Sequence, residues 1–270
     1  MAGLMRRLWP ELENRIYSNI SLAELGYLRG MDLRRLDLFG QRWRYFSQGN
    51  FHGVSANWLR KQCDGIYSTV GEFLLSEHSP APISEETLIE GEQIFRAILQ
   101  EKSGNNYEKN FDCEIGLASF LYAYILTNKP LTVVETGVAN GITTNVIMKA
   151  LEVTGGALHS FDIDARTQNV YTGSGNWNFH LLRGNLEESL EAQVLKIKDI
   201  DLWIHDSNHG YLWQTYEYRL ARKVLSPDGV LVSDDIDSST AWGLASRQFL
   251  ENPTAIFDNR KFIGVAKIKK

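Results

Sequence analysis

The stretch LTVVETGVANGITTNVIMKALEVTGGALHSFDID, Leu131 to Asp164, constrains the fold of this chain more tightly than any other. Leu131 to Val134 is a short β-rich run behind Pro130, too short for a helix, so it reads as a buried parallel strand ending at Glu135. Gly137 and Gly141 bracket a turn where the backbone must approach something closely, because a side chain at either position would fill that space. From Thr143 to Leu151 the apolar residues Val146, Ile147, Ala150 and Leu151 recur at helical spacing, and Gly155-Gly156 stops the helix. Ala157 to Phe161 supplies a second strand, ending in Asp162. The result is one βαβ unit, with acids at the carboxyl ends of two strands and a helix N-terminus facing the same crevice.

Such a crevice suits a nucleoside, whose ribose hydroxyls an acid at the end of the second strand can bind. A dinucleotide site normally shows G-x-G-x-x-G, whereas the pattern here is E-x-G-x-A-x-G, with an acid before the turn and no third glycine. A carboxylate there repels a pyrophosphate and favours a ligand carrying an ammonium group. Glu135-Thr136-Gly137-Val138-Ala139-Asn140-Gly141, followed by Phe161-Asp162-Ile163-Asp164, resembles the nucleoside-binding motifs of class I S-adenosylmethionine-dependent methyltransferases. The resemblance covers about the last three-fifths of the chain. It implies S-adenosylmethionine as cofactor, held by Glu135, Gly137, Ala139, Asn140, Gly141, Thr143 and Asp162, with Asn185 against the adenine. Asn185 after Gly184 is also ordinary turn chemistry.

The remaining sequence continues the alternation. Glu114 to Leu126 is apolar on nearly all sides and reads as a core helix before the first strand. Strands follow at Phe179–Leu182, Ile200–Ile204 and from Val230, separated by helices over Leu186–Lys198 and Leu212–Leu225. Ala255–Phe257 and Phe262–Ile268 suggest a closing hairpin. The fold class expected is therefore α/β: a Rossmann-like, mostly parallel seven-stranded sheet with an antiparallel C-terminal hairpin and an N-terminal helical extension. The domains read as 1–105, a mainly helical lid, substrate wall or oligomer arm, and 106–270, the cofactor-binding domain. Within the extension, Leu4–Leu28 and Asn57–Leu75 read as helical and Ser76–Pro82 as a hinge, since two prolines in three residues break a regular element.

Residues 1–61 hold ten Lys/Arg against five Asp/Glu, a balance of +5 that leaves −10 for the rest of a chain whose net charge is −5. The aromatic residues Trp9, Trp43, Tyr45, Phe46 and Trp58 lie among those cations, a mixture that nucleic acid would also favour. The acidic whole argues instead for packing on the core domain or on a second copy, as a homo-oligomer arm, and against a nucleic-acid partner. Cys63 and Cys113 form neither a C-x-x-C nor a disulfide pattern, and no apolar run is long enough to span a bilayer. With no secretory pattern after Arg6-Arg7, the expected location is cytoplasmic.

Two more strand ends carry acids: Asp206 after DLWIH, and Asp234-Asp235 after VLVS. In a parallel sheet these ends share one edge, so three carboxylates can meet beside the crevice and form a hard oxygen site suited to Mg²⁺. D-S-N-H-G-Y after the fourth strand and D-D after the fifth resemble the metal-dependent O-methyltransferases, including the catechol-type and natural-product enzymes. The resemblance implies Asp206, Asp234 and Asp235 as metal ligands, with Asp235 replacing a frequent Asn. His209 stands where catechol-type enzymes place a lysine, and it can take the hydroxyl proton. His205, on the strand, reads as structural. The function expected is an S-adenosylmethionine-dependent, Mg-dependent O-methyltransferase acting on a natural product, sugar or phenol, with His209 and Asp206 catalytic. A metal-independent methyltransferase, a nicotinamide oxidoreductase and a non-catalytic binding protein are the alternatives.

Overall fold

The computed structural model describes residue 54 and residues 56–259 and 261–269. The proposed helix over Leu4–Leu28 and most of the Arg/aromatic region lie outside the described residues. The described elements run α1 (Ala56–Arg60), β1 (Gly65–Tyr67), α2 (Val70–Leu74), α3 (Glu85–Lys102) and α4 (Ile115–Asn128), then β2 (Thr132–Thr136), α5 (Ile142–Thr154), β3 (Ala157–Asp162) and β4 (Asn176–Leu181). They continue with α6 (Leu186–Val194), β5 (Ile200–His205), α7 (Tyr211–Val224), β6 (Leu225–Ser233), α8 (Ala241–Gln248), β7 (Leu250–Asp258) and β8 (Lys261–Ile268).

The strands form one eight-stranded sheet in the order β1-β7-β8-β6-β5-β2-β3-β4. Pairings from β4 to β6 are parallel, and β8 runs antiparallel to both β6 and β7. The eighth strand is β1, which pairs parallel with β7 through Gly65↔Thr254 and Tyr67↔Ile256. A single helix over Asn57–Leu75 is therefore not formed: the chain turns at Lys61-Gln62, enters the sheet at Gly65, and starts a new helix behind Thr69, whose hydroxyl caps Glu72 N. Part of the expected extension is thus built into the sheet.

Period-two alternation sorts the strands onto two faces. Val133, Leu202, Ile204, Val230 and Val232 pack with α3, α4 and α5, while Val134, Trp203 and Leu231 pack with α6, α7 and α8. Each fully buried Leu or Ile contributes about 1.5–3 kcal/mol from its transfer out of water. Helix α4 has no polar stripe because it is enclosed: Leu117 through Ile125 are all buried, between α3, α5 and the sheet. Its first turn is capped from afar, where the Asp258 carboxylate at the end of β7 accepts from Gly116 N at 2.9 Å and Leu117 N at 2.6 Å.

Glu135, at the end of β2, is fully buried beneath the glycine turn. Its Oε2 accepts from the hydroxyls of Thr144 and Ser160, both at 2.7 Å, and its Oε1 has no partner. Burial pushes this carboxyl up to about 7 against the pull of the two hydroxyls. A carboxyl whose folded value is raised contributes stability below its ordinary value and loses it as pH rises through about 7. Glu135→Gln is therefore expected to melt with wild type at pH 4 and several degrees above it at pH 8, as measured by thermal denaturation across that range.

Candidate active site

The turn after β2 is set by contact with β5. A Cβ on Gly137, at φ 85°, would collide with the carbonyl oxygen of Asp206, and one on Gly141, at φ 77°, would lie 2.5 Å from Val170 Cβ. The close approach that the glycines permit is thus to the protein's own backbone and side chains. It brings the turn against the end of β5, where Asp206 N donates to Thr136 O at 2.9 Å. Asp162, at the end of β3, fastens the other side: its Oδ2 accepts from Val138 N at 2.8 Å and Ala139 N at 3.3 Å. Ala139 holds the left-handed region at φ 46°.

The crevice residues expected from sequence divide by role. Thr143, in the first turn of α5, donates to Asp206 Oδ2 at 3.3 Å and so joins the glycine turn to the acid cluster. Asn140 is buried, and its amide ties down the segment before α4, accepting from Asn106 N and Tyr107 N and donating to Asp112 Oδ1. Asn185 is the N-cap of α6, bonded to Glu188. Tyr107 carries no motif in the sequence, yet it reaches across to the end of β3, donating to Asp164 Oδ2 at 2.8 Å with the Arg166 guanidinium 5.2 Å from its ring centre. Arg166 holds the Asp164 carboxyl well below its usual range, while burial and Asp164 push the Tyr107 phenol up to about 12.

The second constellation also converges. Ligand atoms of Asp206, His209 and Asp234 lie within 4.8 Å of one another. Asp235 sits beside them but turns to the imidazole, with Oδ2 3.0 Å from His209 Nδ1; His209 Nε2 is 3.8 Å from Asp206 Oδ1. Burial and the neighbouring Asp234 push the Asp206 carboxyl well above the carboxylate range. Burial by itself would lower His209, but Asp235 and then Asp234 outweigh it and raise the imidazole above its ordinary value. Buried Asp234 Oδ1 and His209 Nε2 have no hydrogen-bond partner. The unpartnered oxygen of Asp234, with the Asp206 carboxylate beside it, fits a divalent cation.

Two features escaped the sequence reading. Lys261, the first residue of β8, puts its ammonium on Asp234 Oδ2 and 3.7 Å from Asp235 Oδ2. Its signal was faint, a single cation opening an apolar strand. Beneath the cluster, the fully buried Glu217 of α7 accepts from Thr136 at 2.5 Å and Ser207 at 2.6 Å and pairs with His205 Nδ1 at 2.8 Å. His205 is accordingly part of the floor, as its position on the strand implied. Asp258 lies next along the hairpin, and a large cavity of about 950 Å³ runs from it along α3, past Cys113 and the start of α4.

Residues 134–236 match the sequence model of a family described as a methyltransferase domain. No curated protein matches. Solved structures similar to the chain include an O-methyltransferase from Bacillus cereus in complex with SAH, 13% identical, covering 74% of this chain and 95% of that one with a TM-score of 0.49. They also include the O-methyltransferase TomG from Streptomyces achromogenes, involved in tomaymycin synthesis and bound to SAM, 13% identical over 70% and 92% of the two chains with a TM-score of 0.46. The matched span runs from within β2 to just past β6, and so takes in the glycine turn and the acids that follow β5 and β6. No described helix is long and apolar enough to cross a membrane.

Because Gly137 has no room for a side chain, Gly137→Ala is expected to destabilise the protein by about 1–3 kcal/mol and to weaken S-adenosylmethionine binding. Denaturant titration and calorimetry read the two effects separately.

Proposed function

We propose that the protein transfers the methyl group of S-adenosylmethionine to a hydroxyl of a small molecule, with a divalent cation such as Mg²⁺ at Asp206 and Asp234. The single observation that carries this is the meeting of Asp206, His209 and Asp234 at the end of the sheet to which the glycine turn is fastened. When bound, the cofactor supplies an electrophilic methyl on its sulfonium, and the ion lowers the pKa of an acceptor hydroxyl. Asp162, Thr143 and the turn residues Gly137 to Gly141 are the groups that would hold the cofactor, its ribose by Asp162 and its amino-acid end by Thr143 and the N-terminal turn of α5.

His209 is the base. Asp235 on Nδ1 fixes the imidazole's orientation and leaves Nε2, buried and unpartnered, as the atom that receives the acceptor's proton. Asp235, the third ligand by resemblance, is better placed as this orienting carboxylate. Ser238 donates to His209 O at 2.8 Å and fixes the loop that carries the imidazole. The O-methyltransferases among the structural neighbours are in keeping with a hydroxyl acceptor, and a natural product, sugar or phenol each remains within the class. The base and acid set favours an enzyme over a binding protein, and the missing third glycine disfavours a nicotinamide oxidoreductase.

A metal-independent methyltransferase is the second reading, and Lys261 favours it: its ammonium already gives Asp234 a cationic partner. Chelation separates the two. Removal of divalent ions by EDTA should abolish methyl transfer and Mg²⁺ should restore it, whereas full activity in EDTA selects the second reading. Asp234→Asn should lose the chelator-sensitive transfer and keep cofactor binding. His209→Ala should lower kcat by roughly 10²–10⁴-fold with S-adenosylmethionine affinity unchanged; a variant turning over like wild type would remove His209 from the mechanism.

A further inference from the structure

Lys261 faces a conflict that the proposed chemistry leaves unresolved. Asp234 is fully buried, and its two oxygens answer to different cations: Oδ2 takes the Lys261 ammonium, while Asp234 is also one of three side chains gathered as for an ion, with Oδ1 unpartnered. Three carboxylates, Asp206, Asp234 and Asp235, crowd a site from which most water is excluded, and such charges are costly to bury without compensation. Lys261 supplies it. Only 7% exposed, it stands at the hairpin between β7 and β8, its Cα paired with that of Asp258, and Asp258 in turn caps α4. The next amide, Phe262 N, donates to Asp237 Oδ1 at 3.0 Å, fixing the backbone on the side of the 234–238 loop.

We propose that Lys261 is the built-in counter-cation of this acid cluster, a positioning residue that holds Asp234 in place and competes with the divalent ion for it. The proposal rests on the reading of Asp206 and Asp234 as ion ligands. A fixed positive charge on a ligand carboxylate weakens the attraction of that carboxylate for a second cation, so the affinity of the site for Mg²⁺ or Mn²⁺ is set by the hairpin as well as by the acids. It also keeps the acids assembled when no ion is bound, because repulsion among the three carboxylates would otherwise drive Asp234 from its neighbours.

The test is a direct titration of full-length protein with Mn²⁺, followed by calorimetry or by the loss of the free-ion electron paramagnetic resonance signal. Lys261→Met and Lys261→Gln should bind Mn²⁺ about tenfold or more tightly than wild type. Lys261→Arg, which retains the charge, should remain within about threefold of wild type. Without the ion the neutral variants should melt below wild type, and saturating Mn²⁺ should raise their Tm by more than it raises that of wild type. Equal or weaker Mn²⁺ binding in both neutral variants overturns the proposal. So does failure of both to fold even with saturating Mn²⁺, since the ion should take the ammonium's place. If wild type binds Mn²⁺ and loses it in Asp234→Asn while the neutral lysine variants gain nothing, the Lys261 proposal alone has failed. If no variant binds Mn²⁺, the metal reading has failed with it.

Discussion

The architecture depends on one close approach, that of the Gly137 backbone to the carbonyl of Asp206. Adjacent strands β2 and β5 end side by side, and the residue that follows each must turn without colliding with the other. Only a residue lacking Cβ can turn at position 137 with φ near 85° and leave Asp206 where it is. Through that contact the glycine turn, proposed to hold the nucleoside, and the loop that bears Asp206 share a single geometry. Thr143 adds a side-chain link between them, and Glu217 holds Thr136, His205 and Ser207 from below. On the proposed reading, this arrangement brings the methyl donor and the acceptor site to one edge of the sheet.

Charge is the second organising quantity. The carboxyl-end edge of the sheet gathers Glu135, Asp162, Asp206, Asp234, Asp235 and, across the hairpin, Asp258. They are answered in several ways. Glu135 is buried among hydroxyls, which raises its affinity for a proton. Asp162 and Asp258 accept backbone amides, Asp235 faces an imidazole and Asp234 an ammonium. These environments separate carboxylates that are chemically alike in sequence, and within the cluster it is Asp234 that keeps a buried oxygen with no hydrogen-bond partner.

Much of this was legible from residue order. Strand and helix alternation from Leu131 onward, the glycine turn, and the acids after three strands gave the sheet, its closing hairpin and the cluster at Asp206 and Asp234, because each signal is local and follows the period of its element. Other features depended on partners distant in the chain. Asn57 to Leu75 resembles one helix until β7 offers Gly65–Tyr67 an edge to pair with. Asn140 belongs to a ligand-binding pattern but is consumed by the segment around Tyr107, more than thirty residues before it. Lys261 acquires meaning only when β8 is laid antiparallel beside β6, which brings it to Asp234.

The central claim is that one edge of the sheet holds an adenosyl group and a divalent ion within reach of a single acceptor oxygen. Its most direct test is a crystal structure of the protein with S-adenosylhomocysteine and Mn²⁺, with anomalous data collected at the manganese edge. The account predicts adenosyl density over Gly137 to Gly141 with the ribose on Asp162, and an anomalous peak bound by Asp206 and Asp234 beside His209. Adenosyl density elsewhere on the molecule, or a cofactor-loaded crystal whose manganese peak lies away from both acids, would contradict it.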